Sequence, residues 1–407
     1  MKRKLVWKKA MVLFTSAALT AGALAGCGTG NTASSEDEIK FGMIWAHSGS
    51  GETIETLCEE AADMAIEEIN ADGGINGKKL VAITEDWESD EAKATEKTKK
   101  LLLEDQVPFI LGYCLGTGSQ AAKTVAEENN GLLVLPTAGS GEEESDHIIY
   151  TGGTTYTFSK ELIPYMVENF GPKVFCVGSD YYYPVRIAAQ TEALLSDCGG
   201  ELVGNEYLSM EETDCSAVIS KIKETKPDVI FANVVGSTTA AFYQQCKEYG
   251  VDIPIASVIT SEMDAVTMGA DYIGGTYSAF NWFASSDNEL SQKFLDNFEK
   301  KYGEEETLKV NATVVCAYSS VYLMAEALKN CESYDTESIK AALADVSVET
   351  PEGTFSVDSK NAYYAKNYAM IVKWDDEARP ETVYQSDGQL PAEPWPELLF
   401  PDGKPTE

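Results

Sequence analysis

The chain switches repeatedly between the two hydrophobic periods that set secondary structure, and it runs through that alternation twice, which leaves few architectures open. Ile39 to Ala46 is a short apolar run of strand type, closed by His47-Ser48-Gly49-Ser50-Gly51. From Thr53 onward Ile54, Leu57, Ala61, Met64, Ala65 and Ile69 recur at helical spacing, and Asp72-Gly73-Gly74 ends the pattern. Strands are expected next over 79–84, 107–113 and 132–135, with helices over 92–104 and 119–129. The rhythm restarts after Thr151-Gly152-Gly153, with strands over 173–177, 201–207 and 228–233 and helices over 159–169, 187–198, 215–225 and 239–249. Strands separated by helices build mostly parallel sheets covered on both faces, so the fold class is α/β, with two Rossmann-like, doubly wound lobes. In such sheets ligands bind in the crevice beyond the strand C-termini, where helix N-termini offer unpaired N–H groups. The loops over 47–52, 113–119, 136–141, 178–184 and 234–238 therefore carry the candidate site.

The start of the chain has a different character. Lys2, Arg3, Lys4, Lys8 and Lys9 form a basic segment, and 10–24 is an apolar stretch too short for a comfortable membrane span. Leu24-Ala25-Gly26-Cys27 closes it with small residues before a cysteine, the pattern of a lipoprotein signal. Residues 1–26 are thus expected to be a signal peptide, Cys27 the lipidation site and 27–38 a flexible tether poor in apolar residues. Loss of the five basic residues of the signal takes the formal net charge from −35 to −40. Phosphate recognition runs on clustered Lys and Arg, which argues against nucleic acid as a partner. The remaining ~370 residues are more than one core organises, so two domains are expected. Eight further cysteines, at 58, 114, 176, 198, 215, 246, 316 and 331, include no C-x-x-C pair and signal neither a zinc ribbon nor a thioredoxin-like site. Cys58, Cys176, Cys246 and Cys316 fall inside apolar patterns and read as small buried hydrophobes.

Three segments, in this order along the chain, resemble the type I periplasmic-binding proteins, the solute-binding lipoproteins of ABC importers of the branched-chain amino acid class. They are Ala61 to Gly77 (AADMAIEEINADGGING), Glu85-Asp86 with Ser89 and Asp90, and the helix-rich stretch from Phe294 to Lys329. Within that class the chain looks most like the urea and short-chain amide branch. The features are His47-Ser48, Ile149-Tyr150-Thr151-Gly152-Gly153, Gly178-Ser179-Asp180-Tyr181-Tyr182-Tyr183-Pro184, Phe242-Tyr243, Ser257 to Glu262 (SVITSE) and Tyr277 to Phe283 (YSAFNWF). The resemblance implies a hinge crossed three times, near Thr151 to Thr154, Ala279 to Ala284 and Val348 to Pro351. One lobe would then hold 39–151 and 282–349, the other 152–281 and 350–378, with 379–407 a C-terminal tail that wraps the surface or hangs loose. In that branch the two tyrosines of the Tyr-x-Tyr and a loop threonine contact the amide, which maps onto Tyr181, Tyr183 and Thr137; a strand-end tyrosine maps onto Tyr113. The chain departs from the branch at Leu115 and Gly116, which replace hydroxyl residues, at Leu135, and in the Ala-Gly-Ser-Gly that follows Thr137. These changes leave the transport role standing and the ligand open.

A small neutral amide offers a carbonyl acceptor and N–H donors, so its binder needs hydroxyl or N–H donors, acceptors and a flat wall, with no ion pair. Tyr113, Thr117, Thr137, Tyr181 and Tyr183 supply such groups, with Ser48 in the first loop. A free amino acid instead needs paired donors for its carboxylate and an acid for its ammonium, roles open to Ser119 with Thr137 and to Asp180 or Glu262. Asp180 equally suits a cap on the following loop, and the tyrosines equally suit packing at a lobe seam. A protein that reports its ligand to a membrane signalling partner would carry the same pocket. Gly116-Thr117-Gly118-Ser119-Gln120-Ala121 matches a dinucleotide fingerprint but follows the third strand rather than the first, so no nucleotide is expected. Only His47 and His147 are present, neither in a metal or nucleophile context, and no enzymatic activity, metal or organic cofactor is expected. The expected partners are a small solute, the subunits of an ABC permease, and a membrane reached through Cys27.

Overall fold

The computed structural model describes residues 37–404. The expected signal peptide, Cys27 and all but the end of the tether lie outside the described residues. The chain enters the first sheet at Glu38. One lobe begins with β1 (Glu38–Trp45), α1 (Glu52–Ala71), β2 (Lys79–Asp86), α2 (Glu91–Lys99), β3 (Ile110–Gly112), α3 (Gly116–Asn129), β4 (Leu133–Leu135) and β5 (Ile148–Tyr150). The second lobe follows with α4 (Thr155–Phe170), β6 (Lys173–Ser179), α5 (Tyr182–Cys198), β7 (Glu201–Leu208), α6 (Ser216–Thr225), β8 (Val229–Asn233) and α7 (Ser237–Glu248). It continues through β9 (Ile255–Ser257), α8 (Glu262–Met268), α9 (Ala270–Ile273) and β10 (Tyr277–Phe280). The chain then returns to the first lobe for α10 (Glu289–Tyr302), α11 (Glu304–Thr307), α12 (Ala312–Asn330), α13 (Thr336–Leu343), β11 (Val348–Thr350), β12 (Gly353–Asp358) and β13 (Tyr364–Lys366). It ends in the second lobe with β14 (Met370–Trp374) and β15 (Pro380–Gln385).

The first sheet has the strand order β11-β12-β13-β5-β4-β3-β1-β2 and the second β15-β14-β10-β9-β8-β6-β7. Strands β1 to β5 pair in parallel, as do β6 to β10, while the late strands add antiparallel edges. The inner strands β1, β3, β4, β6 and β8 bury both faces, as the middle of a parallel sheet requires, whereas the edge strands β2 and β7 are only partly covered. In β1, Phe41, Met43 and Trp45 face the core under α1 and α12, and Ile44 faces the core under α2 and α3. In β6, Phe175 and Val177 go to one side and Val174 and Cys176 to the other. Cys58, Cys176, Cys215, Cys246 and Cys316 are buried thiols.

Three helices begin earlier than their hydrophobic spacing indicates: α3 at Gly116, α4 at Thr155 and α5 at Tyr182. Their caps, Leu115, Thr154 and Tyr181, make no side-chain cap bond, and at Leu115 and Tyr181 the residue type gives no start signal either. All three starts lie at the crevice or the hinge.

The third hinge crossing corrects the expectation. Val348 to Pro351 lies within the first lobe, because Phe355, Val357 and Ala365 bury their side chains in its core and Tyr364 stacks flat on Tyr150 at 4.0 Å. The chain crosses between Lys366 and Met370. The tail is also more than a loose end. Residues 380–385 form the edge strand β15, and the chain beyond it buries Ala392 in the first lobe and packs Leu390 and Leu399 on the second. The Pro394 carbonyl accepts the Glu142 N–H at 2.7 Å, so the tail straps both lobes together at the hinge.

A buried carboxyl of the first lobe is tied to the second hinge crossing at Asn281. Glu352, in the turn between β11 and β12, is buried; the Asn281 side-chain amide donates to its Oε1, while Oε2 has no partner. Burial raises its pKa to about 8 from the ordinary 4.5, opposed by the Ser319 hydroxyl and Asn281. A carboxyl whose folded pKa stands above its unfolded value contributes stability that is complete below about 4.5 and is lost as pH rises through about 8. Glu352→Gln keeps the oxygen that Asn281 needs and removes that loss. Thermal unfolding at pH 6 and pH 8.5 should show a midpoint that falls with pH in the native chain and falls less, by several degrees, in the variant.

Tyr113 belongs to the core and not to the crevice. It adopts a left-handed backbone (φ 61°), which turns its ring under α2 against Trp87, centroids 5.5 Å apart. Its hydroxyl lies 2.6 Å from the Thr98 hydroxyl and donates to the Ala94 carbonyl at 3.2 Å. Tyr113→Phe should therefore cost about 1 kcal/mol of stability in a denaturant melt and leave ligand affinity unchanged.

Candidate ligand-binding site

The loops beyond the strand C-termini of the two sheets meet along a seam. On the first lobe, His47 and Ser48 follow β1 and are exposed, and the Ser48 carbonyl accepts the Ser89 hydroxyl at 2.8 Å. Thr117 is exposed in the first turn of α3, whereas Ser119 is buried and turns its hydroxyl onto the Gly116 carbonyl at 3.2 Å. Thr137, half-buried, lies in the loop after β4. That loop runs against the first hinge crossing, with Gly139 donating to the Gly153 carbonyl and accepting from Thr155 N–H. Gly152 sits directly on the Thr137 carbonyl and leaves no room for a side chain there.

The loop after β4 reaches the other lobe. Gln190 of α5 donates to the Ser140 carbonyl at 2.8 Å, and Arg186 of the same helix is ion-paired with Glu142. Ala138 and Tyr183 pack on the same core cluster of the second lobe. The Tyr183 hydroxyl bonds with Thr155, and burial holds its pKa above the ordinary phenol range. Tyr181 stacks on Tyr183 with ring centroids 6.3 Å apart and stays 38% exposed, so one face of the pair remains open. Thr137, Tyr181 and Tyr183 are thus grouped near the hinge. Asp180 is exposed beside them, its backbone N–H on the Leu208 carbonyl.

Glu262 opens α8 at the end of β9. Its neighbour Ser261 forms a capping box with Asp264 and accepts a hydrogen bond from Asn311 of the first lobe at 3.3 Å, which places Glu262 on the seam. Glu262 Oε1 accepts the Ala284 N–H at 2.9 Å, and Oε2 is buried without a partner. Burial drives its pKa up to about 8, against weaker pulls from the Ala284 and Glu262 amides. A buried, half-satisfied carboxylic acid between two lobes is a costly arrangement that a ligand can complete.

Sequence reasoning passed over Glu55. This α1 residue is fully buried, and its Oε2 accepts from the Ala46 N–H at 2.6 Å and from the Trp87 indole at 2.7 Å. Its Oε1 accepts from the Cys114 N–H at 2.8 Å, and the Leu115 N–H adds to the same carboxyl. Burial raises its pKa while these N–H donors pull it back. Among the described residues, no group of His, Cys, Asp and Glu is arranged to hold a metal ion. No helix among them is long and apolar enough to cross a membrane.

The arrangement of two sheets, a multiple-crossing hinge and a seam lined from both sides recurs in known proteins. Residues 39–400 match the family model described as periplasmic binding protein domain. The chain is 24% identical over 401 residues to the Leu/Ile/Val-binding protein homolog 7 of Brucella melitensis, covering 93% of this chain and 96% of that protein. It is 25% identical over 364 residues to the leucine-, isoleucine-, valine-, threonine-, and alanine-binding protein of Pseudomonas aeruginosa, covering 88% and 95%. The fold matches the branched-chain amino acid transporter substrate binding protein LivJ of Streptococcus pneumoniae in complex with isoleucine, with a TM-score of 0.75 at 22% identity, over 87% of this chain and 100% of that one. It also matches an R. palustris ABC transporter solute binding protein in complex with 4-hydroxybenzoate, with a TM-score of 0.78 at 20% identity, over 87% and 98%. The chain is a binding protein and not an enzyme, and with a family model that spans nearly all of its described residues it belongs to the periplasmic binding protein family.

Proposed function

We propose that the chain is the extracytoplasmic solute receptor of an ABC importer, and that its seam takes a small uncharged nitrogen-bearing solute, urea or a short-chain amide. The observation that carries the ligand class is Glu262. Burial raises its pKa to about 8, which favours the neutral acid, and a neutral acid's unpartnered Oε2 offers an O–H to a carbonyl rather than a charge to a charge. The open face of the Tyr181 and Tyr183 pair and the Thr137 hydroxyl supply the flat wall and further polar contacts. Closure of the lobes over the solute is a hinge transition, and the bound form is the one a permease would read.

A second reading is favoured by the same residue. An amino acid would place its ammonium against Glu262 and draw the proton off it, and the Brucella and Pseudomonas relatives are named for amino acids. Export and attachment to the membrane through Cys27 rest on the basic, apolar and small-residue order of the first 27 residues. Cys27→Ala should move the protein from the membrane to the soluble fraction; retention in the membrane would refute the anchor.

Thermal unfolding against urea, acetamide, formamide and the common amino acids separates the two ligand classes. A ligand at a hundredfold its Kd stabilises by about 2.7 kcal/mol. Stabilisation by amides, kept in Glu262→Gln and weakened by about 0.5–1.5 kcal/mol in Tyr183→Phe, is the expected result. Stabilisation by aliphatic amino acids alone, lost at least tenfold in Glu262→Gln, would establish the second reading.

A further inference from the structure

Ala46 and Trp87 are the first residues beyond β1 and β2, and Cys114 is the second beyond β3. All three bond to one side chain, Glu55. Every one of these partners is an N–H, a group that donates and cannot accept. Both carboxyl oxygens of Glu55 are used as acceptors, Oε2 by Ala46 and Trp87 and Oε1 by Cys114, with the Leu115 N–H drawn to the same group. A carboxylate meets this set of donors, whereas a glutamine in its place would turn an NH2 against N–H groups. The loops held in this way carry His47, Ser48 and Thr117, all three exposed.

We infer that Glu55 is a positioning and specificity-determining residue: its carboxylate fixes the three first-lobe loops and occupies the Cys114 and Leu115 amides that a ligand carboxylate would otherwise take. The inference rests on the reading of the seam as a solute site. Its consequence is a first-lobe wall already supplied with an anion at the start of α3, which disfavours a second one and admits neutral groups. Binding of acidic solutes is thereby reduced without any repelling residue on the surface of the pocket.

The test uses Glu55→Gln and Glu55→Asp in the full-length chain, with acetamide and acetate as a neutral and an anionic probe of the same shape. In Glu55→Gln, hydrogen exchange at the Ala46 and Cys114 amides should accelerate at least tenfold. Exchange at the Gly42 and Ile110 amides, which donate to the Phe109 and Leu132 carbonyls in the same sheet, should stay at the native rate. The affinity ratio of acetamide to acetate should fall at least tenfold in the same variant. A residue that merely supports the core would accelerate exchange at all four amides alike and weaken both probes equally, and either result would overturn the inference. Exchange needs no ligand, so it judges Glu55 even where neither probe binds, an outcome that would count against the amide reading alone. Should Glu55→Gln fail to fold, Glu55→Asp replaces it: the charge is kept but withdrawn by one methylene, so the amides should loosen while the acetamide preference persists. Native exchange rates in Glu55→Asp would overturn the inference as well.

Discussion

One buried carboxylate sets the geometry on which the first lobe's side of the seam depends. Parallel strands end in loops that have no ladder partners, and each loop leaves N–H groups to be satisfied. Here Glu55 reaches up from α1 and accepts the backbone N–H groups of Ala46 beyond β1 and Cys114 beyond β3 together with the indole N–H of Trp87 beyond β2, at 2.6 to 2.8 Å. Its partner Trp87 in turn packs on Tyr113, whose hydroxyl is tied to α2 through Thr98 and Ala94. A single side chain thus couples three loop starts to two helices.

The boundary between the lobes holds a complementary kind of acid, one from each side. Glu262 and Glu352 are both buried at the hinge, both carry one unpartnered oxygen, and both are pushed up to a pKa of about 8. Glu55 differs because its donors oppose desolvation at every oxygen. The contrast follows from hydrogen-bond supply: four N–H groups surround Glu55, whereas Glu262 has two, those of Ala284 and its own backbone, and neither reaches Oε2. The overall acidity of the chain, net −35, bears on solubility and says nothing about either site.

Much of the architecture was legible because alternating periods leave little choice. The alternation of strands and helices over 39–135 and 159–249 and the grouping of crevice loops follow from spacing and glycine-marked turns, while a crossing near Thr151 was implied by the family resemblance. What failed to show had physical reasons. Tyr113 reads as a strand-end ligand residue, and only its left-handed backbone sends it into the core. The third crossing was misplaced because the turn at Pro351 looks like a break, while the burial of Phe355 and Val357 in the first lobe depends on contacts distant in sequence. Glu55 was one carboxylate among 66 acidic residues, and its neighbours Leu57 and Cys58 signal a helix face and not a hydrogen-bond hub. The roles given to Ser48, Thr117, Ser119 and Asp180 rest on residue type alone; of these the structure buries Ser119 against its own helix and leaves the others exposed.

The account turns on the protonation of Glu262 when the seam is filled, and calorimetry reads that directly. Acetamide is titrated into the protein at pH 7 in phosphate and in Tris, buffers with very different ionisation enthalpies. The account expects the same binding enthalpy in both, because a neutral solute leaves the proton on Glu262. A buffer-dependent enthalpy corresponding to release of close to one proton would contradict it, since it would mean that the filled site holds Glu262 as a carboxylate.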